Sequence, residues 1–105
     1  MELTEQQLDK LIPEHLPHWA VKAPRGMLSR EFVFGNFVQA FEFMTTMARV
    51  SEELNHHPEW SNVYNRVQVA LITHDAAALT ALDLTWAERA DAAYLSFANH
   101  PPMEG

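Results

Sequence analysis

Three histidines stand within nineteen positions of this chain: the adjacent pair His56 and His57, followed by Pro58, and His74 in "LITHD" beyond a β-like run. Imidazole titrates near neutral pH, so one ring can give a proton while another takes one. The cluster raises three readings: proton-transfer catalysis, metal ligation, and capping or packing at element ends. Local metal signatures place histidines at i, i+4 on a helix or in a short separated pair. Adjacent histidines in extended chain point apart and chelate one ion poorly. The chain has no cysteine, which removes thiolate metal sites and disulfides. Ser51 and Ser61 lie near the histidines, but no nucleophile-elbow motif accompanies them, and the three glycines form no phosphate-binding loop. His15, His18 and His100 fall outside the cluster and take no role.

The elements that must position these rings follow from caps, periodicity and turns. Thr4 with Gln7 has the form of a capping box, and Leu8, Leu11 and Ile12 give a short amphipathic helix that ends near Pro13 or Pro17. "HWAVKAPRGMLSREFVF" reads as two strands about a turn at Ala23-Pro24-Arg25-Gly26. There Leu28, Arg30, Phe32 and Phe34 alternate with Ser29, Glu31 and Val33. Asn36 caps a long helix with Gln39 at its third position, running to about Asn55. Phe37, Phe41, Met44 and Ala48 form one apolar stripe; Ala40, Phe43, Met47, Val50 and Leu54 form a second. One stripe can cover a sheet, so the other is expected to meet a further surface. Pro58 is expected to stop the helix and to hold His57 extended. "EWSNVYNRVQVALIT" reads as a hairpin turning near Tyr64-Asn65. Thr80 and Asp83 repeat a capping-box pattern, and Leu82, Trp86, Ala90, Ala93 and Phe97 are the expected apolar face of a last helix. The order αββαββα, with hairpins and no parallel crossover, predicts an α+β fold with helices on one face of an antiparallel sheet. His56 and His74 then lie at element ends, where substitution is expected to open no core cavity.

The bulk numbers agree with a small globular unit. The 105 residues, 48% of them hydrophobic, predict a single domain over 1–105 with a loose tail at 98–105. The formal net charge of -7 argues against a nucleic-acid surface and against docking on anionic lipid. No apolar run approaches the ~18 residues of a membrane span, and the charged N-terminal stretch is unlike a signal peptide. A soluble, cytoplasmic protein is expected. A core this small gains from burial between subunits.

The residues around the histidines carry a specific likeness. "NHHPEWSNVYNRV", "LITHD" and the phenylalanine-rich "FVFGNFVQAFEFM" resemble the pterin-4a-carbinolamine dehydratases, also known as dimerisation cofactors of a homeodomain transcription factor. The family motif maps onto Glu52, His56-His57-Pro58, Tyr64, His74 and Asp83, and the likeness spans about residues 3 to 97. Ala78 stands where the family often has glycine. The resemblance implies a four-stranded antiparallel sheet with three helices on one face, homodimers through sheet edges, and homotetramers in some members through the long helices, a contact expected to use the second stripe, over 40–54, at Met47 and Val50. It also implies dehydration of a 4a-hydroxytetrahydropterin, without metal or other cofactor, by His56, His57 and His74. Glu52 and Trp60 are then candidates to hold the pterin, Trp60 being equally readable as a core aromatic and Asp83 as a helix cap. The competing implication is a protein-binding module, or coactivator, working through the long-helix surface.

Overall fold

The computed structural model describes residues 3–22, 26–72 and 79–98. Residues 23–25 of the expected turn at 23–26, residues 99–105 of the expected tail, His74 and Ala78 lie outside the described residues, and residue 98 of that tail ends the last helix.

Thr4 opens the first helix. Its Oγ1 accepts the Gln7 N–H at 3.1 Å, and the Gln7 Oε1 accepts the Thr4 N–H at 2.8 Å. Two donors that a helix start leaves unpaired are thereby satisfied. Helix α1 (Glu5–His15) runs through Pro13 rather than ending at it. Leu8, Ile12 and Leu16 are buried on both sides of the proline, and that tertiary burial outweighs the donor Pro13 lacks. The Leu16 N–H then closes on the Ile12 carbonyl, just before Pro17.

Strands β1 (Ala20–Lys22) and β2 (Met27–Val33) follow, then helix α2 (Phe37–Leu54), strands β3 (Glu59–Val63) and β4 (Arg66–Ile72), and helix α3 (Ala81–Ala98). The sheet order is β1-β2-β4-β3, with every neighbouring pair antiparallel. The predicted αββαββα arrangement is the one observed. Leu28 faces Leu71 and Phe32 faces Val67 across β2 and β4. These side chains are fully buried, in one cluster with Leu8 and Ile12 of α1, Phe43 and Met47 of α2, and Trp86 and Ala90 of α3. All three helices therefore cover one sheet face. Each such large apolar side chain contributes about 1.5–3 kcal/mol by leaving water. A concavity of about 640 Å³ crosses the opposite face over Ser29, Glu31, Ser61 and Gln68. It includes His18 but neither His56 nor His57.

Arg30 explains the imperfect alternation of β2. It occupies an inward position but is not orphaned there. Its guanidinium donates to Asp91 Oδ1 of α3 at 2.6 Å and lies over the Phe32 and Tyr94 rings at 4.5 and 5.1 Å. Trp19 Nε1 donates to the same carboxylate.

Two helix faces differ from expectation. On α2, the stripe Ala40, Phe43, Met47 and Val50 is buried against the protein's own sheet, whereas Phe37 and Phe41 are 46% and 55% exposed. The surface left for another partner is thus the first stripe, not the second. On α3, Leu82 is 40% exposed while Asp83 is fully buried. The inward row is Asp83, Trp86, Ala87 and Ala90, so a carboxylate occupies the place that hydrophobicity alone would give to Leu82.

Candidate active site

The C-terminal end of α2 sets the first histidine. Asn55 adopts the left-handed conformation with φ 51° and ψ 46°. The Asn55 N–H reaches the Glu52 carbonyl at 3.2 Å, and the His56 N–H reaches the Ser51 carbonyl at 3.0 Å. This pair of bonds is a Schellman motif, with asparagine at the position usually given to glycine. The helix therefore stops at Asn55, three residues before Pro58, which lies beyond the ending and does not cause it. His56 is the residue immediately after the left-handed turn, so its backbone is fixed by the motif.

Ser51, the acceptor in that motif, is held in turn from α3. Its hydroxyl donates to the Met47 carbonyl at 2.7 Å and accepts from Trp86 Nε1 at 2.9 Å, all buried. The end of α2 and the first turns of α3 are thus cross-linked beneath the histidines. Trp60 of β3 is half-buried, with its ring edge-on to Trp86 at 6.1 Å. It packs against this floor while remaining partly exposed.

Above the floor, His56 and His57 each meet a carboxylate. His56 Nε2 lies 2.6 Å from Asp83 Oδ1, with the His56 side chain 14% exposed and that of Asp83 fully buried. The other carboxylate oxygen, Oδ2, accepts the Thr80 N–H at 2.8 Å and stands 3.3 Å from Thr80 Oγ1. The anticipated Thr80–Asp83 box is therefore half made. Asp83 reaches back to cap the helix, but its own N–H bonds the Thr80 carbonyl rather than the hydroxyl. A carboxylate buried this fully needs donors on both oxygens and gains from the helix N-terminus. His56 Nε2 is placed to supply one of those donors. With Nε2–H donating to Asp83, the lone pair of a neutral ring is on Nδ1. Nδ1 has no hydrogen-bond partner among the described residues. No fully buried side-chain nitrogen or oxygen among them lacks one, so Nδ1 is not completely sealed from solvent.

His57 behaves differently. Its Nε2 lies 2.7 Å from Glu52 Oε2, and the two side chains are 52% and 80% exposed. Adjacent in sequence, His56 and His57 serve different carboxylates on different helices, as the divergence of neighbouring residues leads one to expect. The buried pair is rigid and weakly screened; the exposed pair is solvated and adjustable.

Among the sequence candidates, then, the structure brings His56, His57 and Glu52 together at the end of α2. His74 falls outside the described residues. Asp83 is the addition. Sequence reading placed it in the family motif but gave it no role beyond a cap, although the helical spacing of Asp83 to Trp86, Ala87 and Ala90 signals a carboxylate on an inward face, and such a group needs a partner.

Comparison with known proteins places these features in context. The profile of the family described as Pterin 4 alpha carbinolamine dehydratase matches residues 1–93. A Burkholderia orbicola protein, provisionally named pterin-4-alpha-carbinolamine dehydratase, is 50% identical over 80 residues, 76% of this chain and 78% of its own. A Synechococcus protein of the same provisional name is 46% identical over 90 residues, 86% of this chain and 95% of its own. Among solved structures, one from Brucella melitensis described as a transcriptional coactivator/pterin dehydratase superposes with a TM-score of 0.82 at 37% identity, covering 90% of this chain and 99% of that one. A pterin dehydratase-like protein described as a RuBisCO assembly factor in the alpha-carboxysome gives 0.65 at 30% identity, covering 76% and 93%. By the extent of the profile match and by these identities, the chain belongs to the pterin 4 alpha carbinolamine dehydratase family.

Proposed function

We propose that the protein dehydrates a 4a-hydroxytetrahydropterin, such as 4a-hydroxytetrahydrobiopterin, to the quinonoid dihydropterin by histidine acid–base catalysis. In the cytoplasm this step would return tetrahydrobiopterin to aromatic amino-acid hydroxylases. The observation that carries the reading is His56, anchored through Nε2 on buried Asp83 with Nδ1 open, beside a second imidazole on its own carboxylate.

The chemistry needs two proton transfers. An acid protonates the hydroxyl on C4a, the C4a–O bond breaks, and water leaves. The N5–H electron pair becomes the second bond of C4a=N5, and its proton passes to a base. On this reading His56 Nδ1 is the base and His74 the acid, an assignment for His74 that rests on the family likeness. His57, adjustable on Glu52, orients the pterin, and Trp60 offers the ring a flat wall. Each proton-transfer group is worth about 10²–10⁴-fold in rate. The test is ultraviolet absorbance of freshly generated 4a-hydroxytetrahydropterin with and without protein. Acceleration is expected; decay at the uncatalysed rate overturns the reading.

A second reading is favoured by one observation. Phe37, Val38 and Phe41 form an exposed apolar strip at the start of α2, and such strips mark interaction surfaces. A homodimer or homotetramer, or a binding module like the relatives described as coactivator and assembly factor, would use it. A folded protein with no dehydratase activity and a partner on this strip would favour the module.

A further inference from the structure

We infer that Asp83 is a positioning residue that sets the tautomer of His56, holding the proton on Nε2 and presenting Nδ1 as the basic atom. The inference rests on the dehydratase reading for its consequence in rate, but not for its structural content.

The Asp83 side chain is fully buried, and Oδ2 is committed to the backbone N–H of Thr80 at 2.8 Å, which needs that acceptor because it begins α3. Oδ1 lies 2.6 Å from His56 Nε2. A carboxylate oxygen only accepts, so the nitrogen facing it must carry hydrogen. His56 projects from a backbone that the Schellman bonds to Ser51 and Glu52 hold, so presenting Nδ1 instead would take a different side-chain rotamer and give up the 2.6 Å contact. Ser51 is itself pinned by Trp86. The cap at the start of α3 and the cap at the end of α2 thus converge on one ring and decide which of its nitrogens is free.

Asp83→Asn separates this role from helix capping. The amide oxygen can keep the Thr80 N–H, since that buried donor has the stronger claim on an acceptor. The amide NH₂ then faces His56 Nε2, which must become the acceptor, and the ring proton moves to Nδ1. The basic atom is turned inward and the exposed nitrogen becomes a donor. The shape of the site is unchanged.

The experiment is two-bond ¹H–¹⁵N spectroscopy of uniformly labelled protein at a pH where the imidazoles are neutral, with His56 assigned by the signals lost in His56→Gln. Wild type is expected to show His56 as the Nε2–H tautomer and Asp83→Asn as the Nδ1–H tautomer. Dehydration by Asp83→Asn is expected to fall at least about 10²-fold, chiefly in kcat, with far-ultraviolet circular dichroism unchanged. An Nδ1–H tautomer in wild type overturns the inference whether or not any variant folds. So does an unchanged tautomer in Asp83→Asn, or activity within twofold of wild type. If wild type lacks activity but the tautomer flips, the dehydratase reading fails and the positioning role stands.

Discussion

Removing the His56 ring tests how far the two carboxylate–histidine pairs differ. In His56→Ala, Asp83 loses the donor 2.6 Å from Oδ1, while the Thr80 N–H still holds Oδ2. A buried polar group that loses a hydrogen-bond partner costs about 1–3 kcal/mol, and more if charged. The His56 side chain is 14% exposed, so water can enter the space the ring leaves and recover part of that. We expect a loss of about 2–3 kcal/mol, equivalent to roughly 10–20 °C in Tm for a chain of this size. This exceeds what the sequence suggested for a residue at an element end. In His57→Ala both former partners are largely exposed, so the loss should stay below about 1 kcal/mol. Urea unfolding by circular dichroism, at one fixed protein concentration because oligomers shift apparent stability, gives both values. Equal losses in the two variants, or less than about 0.5 kcal/mol for His56→Ala, would refute the argument that Asp83 depends on His56.

Other outcomes follow from the same geometry. Asn55 sits at φ 51°, so Asn55→Gly should keep full stability, whereas Asn55→Ala should cost about 1 kcal/mol, read from the urea midpoint. Phe41→Glu should shift light scattering towards a smaller species if α2 pairs with another copy; an unchanged species puts the contact elsewhere. Met47→Glu would not serve, because Met47 is fully buried in the protein's own core and the variant should unfold. Chelator treatment should leave dehydration unchanged, and activity lost with stoichiometric zinc and restored by it would contradict metal-free acid–base chemistry.

Much of the architecture was legible before any coordinates. The capping box of Thr4 and Gln7, the Asn36 cap on the Gln39 N–H, the turn at Tyr64-Asn65 and the order of elements all depend on residues within three or four positions of one another. Such contacts are set by chain geometry, and sequence spacing reports them directly. The histidine motif and its family likeness were legible for the same reason, as local strings of residue types. Tertiary structure decided the rest. Pro13 remains inside α1 because burial of its neighbours outweighs a missing donor. Which α2 stripe is core, and whether Leu82 or Asp83 faces inward on α3, depends on how each helix is rotated against the sheet. A few tens of degrees of rotation exchange adjacent rows, and periodicity alone does not choose between two apolar stripes. The His56–Asp83 bond spans 27 positions and forms only because the α2 and α3 ends are brought together through Ser51 and Trp86. A carboxylate that reads as a simple helix cap in sequence therefore acquires its second partner only on folding, since burial is what makes its remaining oxygen require a donor.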